Sequence, residues 1–300
     1  MALRTRGAPR LPESPGSRVI APTAVGLTAW RLPSVGAEAA VGYAASLGSD
    51  GIQLDLGGPG RGPWTDAPET VEAVLRASTE LGVALLGMTA NTLNDIGLTA
   101  PADSSDGTRA RKVVVRLLDT ARACGVPLAF VPSFRRSAID TPDDFRRTVR
   151  ILAWATAEAT ARGLLLAGEN VLSAEGAARL VEEVGSPDFR LLLDPYNLCA
   201  AGRDPVRWVA AVGPYLADQI HLKDGHPETG AGASLGTGEG RLDDVLAAVT
   251  AHGPAPRALV LENDYRDGGT TRPLRDLAWA RARAGRPAPL LPLPPNEAAV

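Results

Sequence analysis

Cysteine is nearly missing from this chain of 300 residues, which has Cys124 and Cys199 alone. Two thiols cannot build a disulfide framework, so free thiols in a reducing cytoplasm are the expectation. Long apolar runs are missing too: none approaches the 18 residues of a membrane-spanning helix, and no membrane partner is expected. Excess positive charge is a third absence. With 31 Lys+Arg against 34 Asp+Glu, the net charge of −3 excludes a protein built for nucleic acid, whose phosphate backbone rewards basic surfaces. The first 22 residues carry Arg4, Arg6, Arg10 and Arg18 among prolines and lack the apolar segment of a secretory signal. The 32 glycines and 25 prolines fall short of the share that marks low-complexity chains. A 45% hydrophobic content can fill one large core, so the expectation is a globular cytoplasmic protein, with assembly into homo-oligomers left open.

What is abundant is a repeat of short apolar runs, each followed by a stretch with helical spacing. The runs are 25–30, 51–56, 83–89, 127–133, 163–169, 189–194, 218–223 and 257–262. Val114, Leu117, Leu118 and Ala121 fall at i, i+3, i+4 and i+7, as do Ala177, Leu180, Val181 and Val184. Thr141-Pro-Asp-Asp144 predicts a helix start, with a capping hydroxyl, proline in the first turn and acids at the positive end of the dipole. Eight strands alternating with eight helices predict an α/β fold, a (β/α)₈ barrel over 23–284. A doubly wound sheet is the alternative, but no G-x-G-x-x-G follows the first strand. Residues 1–22 and the proline-rich 285–300 read as irregular arms, and Gly225 to Gly240 as a loop with six glycines.

In such a barrel the carboxyl ends of the strands face the active-site mouth. Strand five ends in Glu169-Asn170, strand six in Asp194, strand seven in His221-Leu-Lys223-Asp224 and strand eight in Glu262-Asn263. Period-two alternation puts His221 and Lys223 on one face of their strand. Three carboxylates and an imidazole converging on one mouth repel unless a cation neutralises them, and an O₃N donor set suits Mn²⁺, Mg²⁺ or Co²⁺. Pairing of each acid with a lysine or arginine is the structural alternative.

With these residues the chain, from about 25 to 265, resembles the xylose-isomerase-like barrel superfamily of sugar-phosphate isomerases and epimerases. The likeness rests on Glu169-Asn170, Asp194-Pro-Tyr-Asn197, His221-Leu-Lys-Asp224, Gly236-Thr-Gly-Glu-Gly240 and Glu262-Asn263. It implies one divalent metal on Glu169, Asp194, His221 and Glu262. It further implies an isomerase or 3-epimerase whose substrate, a sugar or sugar-like cyclitol ketone, passes through a metal-stabilised enediolate, with Glu169 and Glu262 as the proton-transferring pair. Expulsion of a β-hydroxyl instead would make the enzyme a dehydratase. A non-catalytic sugar-binding barrel would be expected to lose a ligand, and an apurinic-site endonuclease needs more than the three histidines present. Many relatives have histidine where this chain has Asn197, which can hydrogen-bond a hydroxyl but cannot shuttle a proton near neutral pH.

Further residues carry two readings each. Lys223 contacts a substrate oxygen or pairs with Asp55 or Glu169. Gln53 and Asp55 point into the barrel, as polar filling or as substrate contacts. Trp30, Phe134, Tyr196 and Tyr265 stand at strand ends, stacking on a sugar face or packing the wall. Arg135-Arg136 hold a phosphate or carboxylate, or are solvated loop charges. The glycine-rich loop cradles a phosphate or acts as a lid. His226 and His252 read as ordinary loop and helix-end residues.

Overall fold

In a computed structural model, residues 23–226 and 228–285 are described, and the expected terminal arms, 1–22 and 286–300, lie outside them. Eight parallel strands close a barrel: β1 (Ala24–Thr28), β2 (Gly51–Asp55), β3 (Ala84–Thr89), β4 (Leu128–Pro132), β5 (Leu165–Glu169), β6 (Phe189–Leu193), β7 (Leu216–Leu222) and β10 (Ala258–Leu261). β8 (Gly225–His226) and β9 (Gly230–Ala231) form a small antiparallel hairpin in the loop after β7. The outer ring is α1 (Ala37–Ser46), α2 (Pro68–Leu81), α4 (Ser105–Ala123), α5 (Pro142–Thr160), α6 (Ala174–Val184), α8 (Pro205–Val212), α9 (Leu242–His252) and α10 (Thr271–Arg283). Two short helices, α3 (Leu93–Ile96) and α7 (Pro195–Ala200), sit in the loops after β3 and β6. Among the described residues no helix is long and apolar enough to cross a membrane.

Local chemistry sets these boundaries. Thr141 Oγ1 accepts from the Asp144 amide and Asp144 Oδ2 accepts from the Thr141 amide, a reciprocal cap that starts α5 at the expected place. The first strand ends earlier than 25–30, because Ala29–Arg31 turn into a 3₁₀ helix that lifts Trp30 over the mouth. Strand seven starts at Leu216, two residues before the predicted 218–223.

Apolar side chains fill the barrel in layers. Ala24, Leu86, Ala258 and Val260 form one cluster; Leu128, Phe130, Ala167, Leu192 and Ala217 form another. Leu86 lies so close to β1 and β2 that a Cβ at Gly26 would stand 2.4 Å from its Cδ1. The strand register shifts there. Ile52 pairs with Leu85 and Gln53 with Gly87, so Leu86 is an extra residue with no partner in β2. Its carbonyl is thereby released for another role.

Candidate active site

Alternation carries the side chains of Ala167 and Glu169, Leu192 and Asp194, Gln219 and His221, and Val260 and Glu262 to one face of their strands, with the polar member toward the carboxyl end. One donor atom from each of Glu169, Asp194, His221 and Glu262 lies within 4.8 Å of all the others. All four are buried, His221 completely.

A chain of amides fixes the imidazole. The Leu86 carbonyl, free because of the register shift, accepts from Gln219 Nε2 at 2.7 Å. Gln219 Oε1 must then accept from Gln53 Nε2, at 2.9 Å, and Gln53 Oε1 faces His221 Nε2 at 2.7 Å. A carbonyl only accepts, so each amide in the chain has one possible orientation, and the hydrogen of the neutral ring belongs on Nε2. Nδ1 is left to the carboxylates, 3.1 Å from Glu262 Oε2 and 3.8 Å from Glu169 Oε2. Phe130 packs edge-on against the ring with centroids 5.4 Å apart, and Trp30 covers it at 6.2 Å.

Each carboxylate is held through one oxygen by a neighbouring amide or indole N–H, and the second oxygens of Asp194 and Glu262 share Lys223. Asp194 caps α7: its Oδ1 accepts from the Asn197 amide at 2.9 Å, and Pro195 occupies the first helical position. Glu169 Oε1 accepts from Asn197 Nδ2 at 2.8 Å. Glu262 Oε1 accepts from Trp30 Nε1 at 3.0 Å and lies 3.6 Å from Arg31 Nη2. Lys223 Nζ stands 2.9 Å from Asp194 Oδ2 and 3.3 Å from Glu262 Oε2. This corrects its expected pairing with Asp55 or Glu169.

The electrostatics are uneven. Burial, reinforced by the Glu262 charge, raises the Glu169 carboxyl to about 7. Burial also raises Asp194, against the pull of Lys223. At Glu262 burial acts upward but Lys223 and His221 outweigh it, holding that carboxyl well below the usual range. Burial would push the imidazole down; Glu262, Glu169 and Asp194 reverse this and raise it. Three buried acids thus face one lysine and one histidine. His221 Nδ1 makes no hydrogen bond, and Asp194 Oδ2 makes none beyond its ion pair. An imidazole nitrogen without a hydrogen bond, a fixed tautomer and surplus negative charge fit a divalent cation.

A cavity of about 580 Å³ opens over the cluster, and Trp30, Asp55, Phe134, Arg135, Asn197 and Lys223 all line it. Asp55 is already engaged, accepting from the Asn91 amide and Nδ2 at 3.1 and 3.0 Å and from the Gly57 amide at 3.2 Å; burial nonetheless raises its carboxyl. Tyr196, expected at the substrate, is buried behind the mouth with its hydroxyl donating to the His226 carbonyl at 3.3 Å. Tyr265 is buried on Asp276. Arg136 turns away, to Asp106 and the Asp95 carbonyl. The glycine-rich loop turns four amides inward: those of Gly225, Gly236, Gly238 and Gly240 all donate to the Asp224 carboxylate at 2.9–3.0 Å. Gln219, the amide-holding role of Asp224 and the linking role of Gln53 were missed in the sequence, although Gln219 stands on the His221 face of an apolar strand and alternation could have found it.

The family model described as xylose isomerase-like TIM barrel matches residues 41–283. A protein of Actinoplanes sp. named 2-epi-5-epi-valiolone 7-phosphate 2-epimerase is 52% identical over 261 residues, covering 87% of this chain and 94% of its own. Among solved structures, a xylose isomerase domain protein from Planctomyces limnophilus superposes with a TM-score of 0.70 at 18% identity, covering 88% of this chain and 98% of that one. An L-ribulose 3-epimerase also superposes at 0.70, with 17% identity, covering 88% of this chain and 95% of that one. At these identities the solved structures share the fold alone. The closed barrel, the acids at the ends of strands five, six and ten, and the match along most of the chain agree: this protein belongs to the xylose isomerase-like TIM barrel family.

Proposed function

We propose that this chain is a divalent-metal-dependent epimerase that inverts the carbon beside the ketone of a polyhydroxylated ring, a cyclitol ketone of the valiolone kind. The observation that carries the reading is a pair of buried glutamates, Glu169 and Glu262, on strands separated by two others, each with one oxygen held by a neighbouring side chain and both lining one cavity. Two carboxyls placed in this way can serve as base and acid on the two faces of a bound ketone. The named 52% identical relative is a 2-epimerase, and this chain is an enzyme of the same isomerase and epimerase kind.

Glu169, Asp194, His221 and Glu262 would hold the ion, Mn²⁺, Mg²⁺ or Co²⁺ by donor type. When bound, it polarises the substrate carbonyl and so acidifies the neighbouring C–H. Glu262, steadied by Trp30, takes the proton from one face. Glu169, steadied by Asn197, passes a solvent-derived proton to the other. Asn197 has no titratable proton, so it positions Glu169 and takes no part in the transfer. Lys223, raised by the acids around it despite its burial, stays cationic and faces the substrate oxygens in the cavity.

The test uses Glu169→Gln and Glu262→Gln with Mn²⁺ present and 2-epi-5-epi-valiolone 7-phosphate as probe. Both should lose turnover by roughly 10²–10⁴-fold, the contribution of a positioned acid or base. Glu169→Gln should still exchange the substrate α-hydrogen with D₂O without inversion, because Glu262 remains. Full activity in both variants would remove the glutamates from the reaction.

A further inference from the structure

We propose that Arg61 and Arg135 form a phosphate subsite on the rim of the cavity opposite the acidic cluster, so that the enzyme prefers a phosphate ester over the free ketone. The preference rests on the epimerase reading; the anion site does not. The mouth divides into halves. The four acid and imidazole groups follow β5, β6, β7 and β10, while Arg61 follows β2 and Arg135 follows β4, and all of these loops meet at one cavity. A ring held by its ketone end over the cluster therefore points its other end toward the arginines.

Between the two arginines stands Asp95 of α3. Its Oδ2 accepts from Arg61 Nε and Nη2 at 3.0 and 2.7 Å, and its Oδ1 from Arg135 Nη1 at 2.9 Å. One carboxylate between two guanidinium groups leaves one positive charge. It also leaves Arg61 Nη1 and Arg135 Nε and Nη2 outside the pairing. The planar guanidinium suits phosphate oxygens two at a time, and Asp95 holds both planes in place before an anion arrives. Arg135 sits at φ +52°, a backbone conformation that residues other than glycine rarely adopt.

The other cations of the cavity are committed. Arg266 is paired through Nε and Nη2 with Asp264, and Arg31 and Lys223 face Glu262. The four loop amides that could have cradled a phosphate hold Asp224. Of the cations lining the described cavity, Arg61 and Arg135 share a single hydrogen-bonded carboxylate, that of Asp95.

The test compares wild type with the double variant Arg61→Met/Arg135→Met, with Arg207→Met, an exposed residue of α8 outside the cavity, as control. The first readout is the ratio of kcat/KM for 2-epi-5-epi-valiolone 7-phosphate to that for unphosphorylated 2-epi-5-epi-valiolone. It should fall by roughly 100-fold in the double variant, as expected for lost charge-assisted hydrogen bonds, and hold in the control. The second is calorimetric binding of inorganic phosphate to protein without added metal, which should weaken at least tenfold in the double variant. A wild type that turns over neither ketone, yet binds phosphate through these arginines, would end the epimerase reading and leave the subsite standing. An unchanged ratio, or unchanged phosphate binding, in a folded double variant would show that the trio only ties three loops together.

Discussion

Replacing Gln53 by leucine tests how the protein sets the proton on His221. The amide is fully buried, and it is the sole link between the imidazole and the Gln219–Leu86 pair. Leucine removes the acceptor of His221 Nε2–H and the donor to Gln219 Oε1, leaving one buried donor and one buried acceptor unpaired. Each such loss amounts to about 1–3 kcal/mol. The ring can then keep its Nε2 hydrogen without a partner or move it to Nδ1, the atom that faces the carboxylates. Either outcome weakens a cation held through Nδ1. Loss of a hydrogen-bonding partner behind a ligating histidine lowers metal affinity by roughly 10–100-fold, or about 1.4–2.7 kcal/mol. Titration calorimetry with Mn²⁺ on wild type and Gln53→Leu reads the affinity, and circular dichroism checks the fold. ¹⁵N shifts of His221 read the tautomer directly. Gln219→Leu should weaken binding less, because it frees the Gln53 amide to turn over without deleting it. Unchanged Mn²⁺ affinity in folded Gln53→Leu, or an Nδ1–H tautomer in ion-free wild type at a pH where the ring is neutral, would refute the reasoning.

Other expectations follow from the same geometry. Asp194→Ala or His221→Ala should abolish binding of a single divalent ion per chain, read by elemental analysis after saturation with Mn²⁺ and gel filtration. Glu169 is raised from 4.5 to about 7 in the ion-free fold, so its favourable contribution is complete below 4.5 and fades as pH rises through 7. Urea midpoints of the ion-free protein should therefore decline over that window, whereas Glu169→Gln should flatten the decline, and Mn²⁺ uptake near pH 6 should release a proton. Asp224→Asn should destabilise the fold by about 2–4 kcal/mol, because an amide cannot accept four backbone N–H groups at once, and should open the 225–240 loop to protease.

The sequence was most legible where a rule is local. Alternation alone put His221 and Lys223 on one face, and Asp194 reads as the end of a strand, while its capping of α7 is visible only in the fold. The four acid and imidazole groups came together because each ends a strand, and the register of a closed barrel brings strand ends to one mouth. What lay beyond reach depends on pairing between distant segments. The Leu86 carbonyl is free only because β2 and β3 shift register, and nothing in residues 84–89 announces this. Glycines at 225–240 suggested a phosphate cradle, but the anion they hold is Asp224 of the same chain. Tyr196 stands two residues past a site aspartate, yet the turn of α7 carries it behind the mouth. Nothing in the sequence singles out Arg61 or Asp95, because only the fold brings the loops after β2, β3 and β4 together.

The central claim is that one glutamate removes the proton beside the ketone and the other returns a solvent-derived proton to the opposite face. Wild-type protein loaded with Mn²⁺ is incubated in D₂O with 2-epi-5-epi-valiolone 7-phosphate, and the product is read by mass and by proton NMR. The account predicts an epimer inverted beside the ketone, one mass unit heavier, with deuterium at that carbon only. A product lighter by one water, or an inverted centre that keeps its original hydrogen, would contradict it.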